Sequence, residues 1–285
     1  MLPTKDLMVG RLPFLVCAPF FHSSLGGVEG IGFVDGVPSF LNGELQAGRI
    51  DSAPSSSFEY GLHYRDYKIF PGVSTSSRME MKSVLFLSRV PWEELDGQAA
   101  ALSPDSATSN VLFQILCARR FAVKPRILTD RILSDRILSG TAAPNPETIG
   151  QVFIGDRALS ESLSGKWPHR YDLADVWQRW QGLPFSFGLW MIRREVLEAK
   201  APLVRRFHGI LMESLKSFRA DPGRALDAWT AIYPSSLPRE LMLRFYETAD
   251  YGFSPEHEKS LETFYRLAHE QGFLPEVPGL DYVEV

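Results

Sequence analysis

Hydroxyl-bearing turns at the starts of helices are the residues in this chain best placed to do chemistry. The first lies in residues 48–60, GRIDSAPSSSFEY, where a charged turn leads into Ser55, Ser56 and Ser57. Ser56 and Glu59 stand at capping-box spacing before a run able to form a helix. The second is SPDSATS, residues 103–109, which follows a short apolar run and opens an amphipathic one. Ser106, Thr108 and Ser109 offer hydroxyls beside the unpaired N–H groups of a helix start, a cradle for a carboxylate. Ser83 heads the apolar run SVLFLS, and Asp156 follows Gly155 at a strand end, where it is a candidate hydrogen-bond acceptor. Taken alone, the serines of the two turns also read as plain helix caps, and Asp156 as a turn residue.

Other chemistries find less support. The six histidines are scattered singly, and Cys17 and Cys117 are far apart, so no metal-ligand spacing is present. No glycine-rich phosphate loop and no Ser/His/Asp or Cys/His arrangement can be assigned. The expected site is therefore free of metal and cofactor. Glu59 reads as a capping residue, and His22 and His63 as packing or surface groups. A net charge of −4 argues against a nucleic-acid or acidic-membrane partner. Arg119, Arg120 and Lys124, with the arginines of the repeat RILTD-RILSD-RILSG at 126–140, make a local basic patch without interleaved aromatics. That repeat reads as a surface excursion, since a period of five suits neither helix nor strand.

The elements that must position these groups follow from apolar spacing. Strands are expected at 8–15, 30–34, 50–53, 67–70 (stopping at Pro71-Gly72), 83–88, 98–102, 152–154 and 183–192. Helices are expected at 38–47, with Phe40, Leu41 and Leu45 on one face, and at 91–95, 109–119 and 174–181. The C-terminal third reads as helices at 194–219, strained near Pro202, and at 222–232, 238–249 and 255–271. Trp177 and Trp180, three apart, signal packing. The implied topology is α/β with two lobes. The first lobe takes residues 1–85 and 187–285, the second is inserted at 86–186, and the strands at 83–88 and 183–192 carry the chain across. Its 285 residues suffice for two lobes. No signal peptide and no membrane-spanning run can be read.

GRIDSAPSSSFEY, SVLFLSRVPWEELDG, ALSPDSATS, FIGDRAL and LADVWQRWQGLPFSFGLW, in this order and spacing, resemble the chorismate dehydratases of the futalosine route to menaquinone. FYRLAHEQGFLPEVP near the C-terminus is similar as well. The resemblance implies a type-2 periplasmic-binding-protein-like fold and a cytoplasmic lyase. Such a lyase eliminates water from chorismate to give 3-[(1-carboxyvinyl)oxy]benzoate, without a cofactor. It further implies Ser83 as the active-site serine and Ser106, Thr108 and Ser109 as the carboxylate-binding turn; Ser56, Ser57 and Asp156 are expected beside the substrate from their positions at the cleft. Aromatisation drives the loss of water, and the substrate's own side-chain carboxylate can take the proton. The chain departs from the family at Val16, where an active-site Asn is usual, and at residues 78–82, where a Gly-Pro pair is usual. Arg78 and Lys82 are there instead, as carboxylate ligands or solvated cations. Two other readings share the fold: the 1,4-dihydroxy-6-naphthoate synthase of the same pathway, which would need a second-lobe histidine where only His169 stands, and a non-catalytic binder of aromatic carboxylates.

Overall fold

The computed structural model describes residues 6–128 and 148–285. Two sheets form its frame. The first contains β1 (Leu7–Arg11), β2 (Ile31–Asp35), β3 (Ser52–Ser56), β4 (Tyr67–Ser77), β10 (Phe185–Arg193) and β11 (Ala249–Asp250). Their order is β11-β4-β10-β3-β1-β2. The second contains β5 (Val84–Ser88), β6 (Ala99–Ala101), β7 (Arg126–Leu128), β8 (Gly150–Ile154) and β9 (His169–Asp172), in the order β7-β6-β8-β5-β9. The chain enters the second sheet through β5 and returns to the first through β10. Ten helices are described: α1 (Ala18–Phe21), α2 (Pro38–Gln46), α3 (Ser57–His63), α4 (Ala107–Ile115), α5 (Gly155–Ser162), α6 (Leu173–Gln181), α7 (Leu197–Ala220), α8 (Pro222–Ile232), α9 (Arg239–Tyr246) and α10 (Pro255–Glu270). Of the helices after β10, α7 packs on β1 and α1, α8 on α1 and α7, α9 on α8, and α10 on β10, α3 and α4.

β5 and β10 are buried along almost their whole length because each is flanked by strands on both sides and covered on both faces. That explains their unbroken apolar runs. One buried apolar cluster passes through both lobes, from Val9 and Trp190 to Phe86 and Trp92. Trp177 lies wholly inside it, edge-on to Trp180, Phe185 and Phe264, so the tryptophan pair is packing.

The structure departs from the sequence expectations at several places. β1 ends at Arg11, not residue 15: Pro13 has no N–H to donate, and Leu15–Cys17 already turn as a 3-10 helix. Pro19 sits in the first turn of α1, where its missing donor costs nothing. β4 does not stop at Pro71-Gly72. It runs on to Ser77 across a register shift against β10, with Gly72 at φ 74° supplying the left-handed step of a bulge. Phe40 is exposed, while Leu41 and Leu45 alone of that trio are buried. β9 was not legible in advance, because His169–Asp172 is an edge strand without an apolar pattern. Asp156 lies in the first turn of α5 instead of a strand-closing turn. α7 carries its non-helical residue at Lys200, two residues before Pro202. Of the repeat, Arg126–Leu128 forms β7, and residues 129–140 lie outside the described residues.

Candidate functional site

A cavity opens between the two sheets, enclosing about 630 Å³ of empty space with the solvent at its mouth included. Leu12, Phe14, Val16 and Phe187 form apolar walls on the first lobe; Val84 and Ile154 do so on the second. Four helices begin at its rim. Pro38 is the first residue of α2, Ser56 caps α3, Ser106 caps α4 and Ile154 caps α5, and all four residues line the cavity. Helix starts carry a partial positive charge and unpaired N–H groups, so their convergence makes the cavity attractive to anions without a cationic side chain. Among the described lining residues no Arg, Lys or His is present, and Asp105 is the one titratable group.

The candidate residues divide into two sets. Ser56, Ser83, Ser106 and Ser109 line the cavity together. The Ser83 side chain is held at the wall by its own backbone: its carbonyl accepts the N–H of Gly155 at 2.8 Å, tying the start of β5 to the start of α5. Lys82, just before it, adopts φ 62°, and its N–H donates to a carboxylate oxygen of Asp172 at 2.5 Å. That left-handed turn at a non-glycine residue sets the direction in which Ser83 enters the strand. Among the described residues no hydrogen bond engages the Ser83 hydroxyl, so it is uncommitted at the cavity wall. At the start of α4 the Ser106 hydroxyl accepts the N–H of Ser109 at 3.2 Å and meets the Ser109 hydroxyl at 2.7 Å. Asn110 clamps the preceding turn from inside, accepting the N–H of Ser103 at 2.9 Å and donating to its carbonyl at 2.7 Å.

Ser57, Thr108 and Asp156 stand behind the wall. Thr108 is fully buried and serves as a fastener between lobes. Its hydroxyl meets Ser56 at 2.6 Å and Ser57 at 3.2 Å, and accepts the N–H of Phe58 at 3.0 Å. The Ser57 hydroxyl also donates to the carbonyl of Ser186 at 2.8 Å, and its own carbonyl accepts from Tyr265 at 2.6 Å. Asp156 reaches across to the first lobe, accepting the N–H of Leu15 at 3.1 Å. Burial pushes the Asp156 carboxyl up to about 6, with the Leu15 N–H pulling the other way. Glu59 is half of a capping box: its N–H reaches the Ser56 hydroxyl at 3.4 Å, while its carboxylate accepts from Gln46 at 2.6 Å instead of turning back.

Arg78 and Lys82 do not reach the cavity. Arg78 pairs with Asp250 at 3.0 Å and Glu256 at 2.6 Å on the surface, and the Lys82 ammonium donates to the carbonyl of Arg244 at 3.1 Å. In the basic patch Arg119 pairs with Glu270 at 2.8 Å. Two polar lining residues were missed in the sequence. Thr75 lies in the part of β4 beyond Pro71-Gly72, where the strand had been expected to stop. Asp105 sits inside the SPDSATS motif, and an acid beside a helix cap amid donor groups was the available signal.

The model of a protein family described as menaquinone biosynthesis matches residues 7–270. The chain belongs to that family. Its match takes in both lobes and every residue of the site. Among solved structures, protein AF1704 from Archaeoglobus fulgidus aligns with a TM-score of 0.70 at 21% identity, covering 95% of this chain and 99% of that one. The Candida albicans CA3427 gene product, described as having the generic periplasmic binding protein fold, aligns at 0.69 and 11% identity over 99% and 98%. The alkanesulfonate-binding protein SsuA from Xanthomonas axonopodis pv. citri, bound to MOPS, aligns at 0.66 and 14% over 97% and 96%. The family member thus has the two-lobed periplasmic-binding-protein fold. Among the described residues no helix is long and apolar enough to cross a membrane.

Proposed function

We propose that this member of the menaquinone biosynthesis family is a chorismate dehydratase, a cytoplasmic lyase acting in the futalosine branch. The observation that carries the reading is the convergence of four helix starts on one cavity that holds the uncommitted Ser83 hydroxyl and, among its described lining residues, no cationic side chain. Chorismate is a dianion with an apolar ring face. Its carboxylates would take the N–H groups and hydroxyls at the starts of α3 and α4, chiefly Ser56, Ser106 and Ser109. Its ring would lie against Phe14 and Phe187. Ser83 would bond to the ring substituents and hold the enolpyruvyl ether in the pose that eliminates and does not rearrange. The proton at the ether-bearing carbon passes to the substrate's own side-chain carboxylate, so no protein base is needed. Ser57, Thr108 and Asp156 act indirectly, by holding the two walls in register.

The test is incubation of the pure protein with chorismate and identification of products by mass spectrometry and NMR. Formation of 3-[(1-carboxyvinyl)oxy]benzoate, faster than in a protein-free control, supports the reading; chorismate decaying only as in the control overturns it.

One observation favours a second reading. Val16, in place of the family's usual Asn, lines the cavity and presents methyl groups there. A cleft of this kind could hold an aromatic carboxylate without turning it over, as the sulfonate-binding neighbour holds MOPS. Tight binding of the benzoate without turnover of chorismate would select that reading. None of the six histidines lines the cavity, which counts against the histidine-dependent naphthoate synthase.

A further inference from the structure

We propose that Asp105 is the proton carrier of this cleft: its carboxyl group takes up a proton when a dicarboxylate binds and delivers it to the hydroxyl that leaves the ring. This rests on the dehydration reading above and supplies the half of the reaction that reading leaves open. Elimination breaks one C–H and one C–O bond. The C–H electron pair becomes the new ring double bond, and that proton goes to the substrate's side-chain carboxylate. The C–O pair departs with oxygen, and hydroxide is a poor leaving group unless a proton meets it in the transition state. Asp105 in its acid form gives that proton, water leaves, and the proton now on the product's carboxyl returns to the Asp105 carboxylate. One water is lost and the protein ends as it began.

The placement of Asp105 supports the role. It is partly buried and lines the cavity beside Ser83, Ser106 and Ser109. It also lines an adjoining pocket of about 960 Å³, the solvent at its mouth included, together with Asp156 and Arg157. Its backbone N–H is spent on the Ser103 hydroxyl at 3.3 Å, which fixes the residue, while among the described residues no donor engages its carboxylate. The charged groups sharing the adjoining pocket with it are Asp156 and Arg157, both on α5; the first lobe contributes the apolar side chains of Pro13, Phe14 and Val37 there, and the uncharged hydroxyls of Ser55, Ser56 and Thr75 to the main cavity. Burial raises its carboxyl above the ordinary value, with the Arg157 charge opposing. A dianion seated beside it would push in the same direction as burial, because two like charges cannot both be kept in a water-poor cleft.

The binding arm of the test uses calorimetry of 3-[(1-carboxyvinyl)oxy]benzoate in buffers of different ionisation enthalpy at mildly acidic pH. Wild-type protein takes up a fraction of a proton per ligand bound, and folded Asp105→Asn takes up none. The kinetic arm uses chorismate. Asp105→Asn loses about a hundredfold or more in kcat with KM changed by less than about tenfold. Wild-type kcat falls as pH rises past the bound-state value of Asp105, Asp105→Asn lacks that limb, and Asp105→Glu restores part of the rate. Equal proton uptake by wild type and Asp105→Asn, or wild-type kcat in Asp105→Asn with the alkaline limb intact, overturns the proposal. If wild type itself leaves chorismate unchanged, the dehydration reading fails, and the binding arm still decides whether Asp105 takes up the proton.

Discussion

The two serine turns of the cleft look alike in sequence and are used differently. At the start of α3, Ser56 and Ser57 are engaged with Thr108 across the lobes, and Ser57 is fully buried. At the start of α4, Ser106 and Ser109 engage only each other and stay on the cavity wall. The same element, a capped helix start, is tied across to the other lobe in one case, with only Ser56 of the pair reaching the cavity, and in the other leaves both hydroxyls on the cavity wall, where we propose a carboxylate binds. What separates them is which side chains the opposite lobe brings up to them.

The comparison breaks first at Thr108. Thr108→Val keeps the volume but strands the N–H of Phe58 in a buried joint and takes one partner from each of the Ser56 and Ser57 hydroxyls. We expect a loss of about 3 kcal/mol of stability in urea unfolding, and far less effect on the affinity of the folded fraction for the benzoate. A variant that is as stable as wild type but binds poorly would move Thr108 from the joint to the cradle. Ser106→Ala should do the reverse. Its cap is worth about 1 kcal/mol, while loss of a hydrogen bond to a charged acceptor should weaken the benzoate by about tenfold or more in calorimetry. Val16→Asn restores an amide to the apolar wall and should raise kcat/KM for chorismate by about tenfold, the worth of one hydrogen bond to a charged group; an unchanged or lower value would show that Val16 is accommodated by other means.

The pH dependence sharpens the same contrast, because Asp156 and Asp172 are joint residues. Burial raises each carboxyl from its ordinary value to about 6. The folded state therefore binds more protons than the unfolded one in between. The stabilisation is fully present below the unfolded value of 3.8 and is lost as pH rises through about 6. Tm should rise as the buffer is taken from neutral toward pH 5, and the rise should be smaller in Asp156→Asn, whose amide oxygen can still accept the N–H of Leu15. A rise as large in the variant would remove Asp156 as a source. The smallest effect is expected at Arg78, half-exposed and paired on the surface. Arg78→Ala should change benzoate affinity by less than about twofold, since exposed pairs are worth little.

Much of the frame was legible because apolar runs report burial. SVLFLS and the run ending in Ile192 declared the strands by which the chain enters the second sheet and returns to the first. Helix starts were legible from serine, aspartate and proline signals. The uses of the serines were not, because the bonds that decide them join residues 51 and 52 apart in sequence. No local pattern encodes that Thr108 points into the first lobe while Ser109, next to it on the helix, points into the cavity. The continuation of β4 was hidden by Pro71-Gly72, which ends most strands and here only bulges one. Thr75 was lost with it.

A crystal structure of the protein with 3-[(1-carboxyvinyl)oxy]benzoate bound tests the central claim most directly. The account predicts the ligand in the cavity between the sheets, one carboxylate within about 3 Å of the Ser106 and Ser109 hydroxyls and the first N–H groups of α4, and the ring beside Ser83. A ligand seated elsewhere, or with its carboxylates turned away from the start of α4 toward solvent, would contradict it.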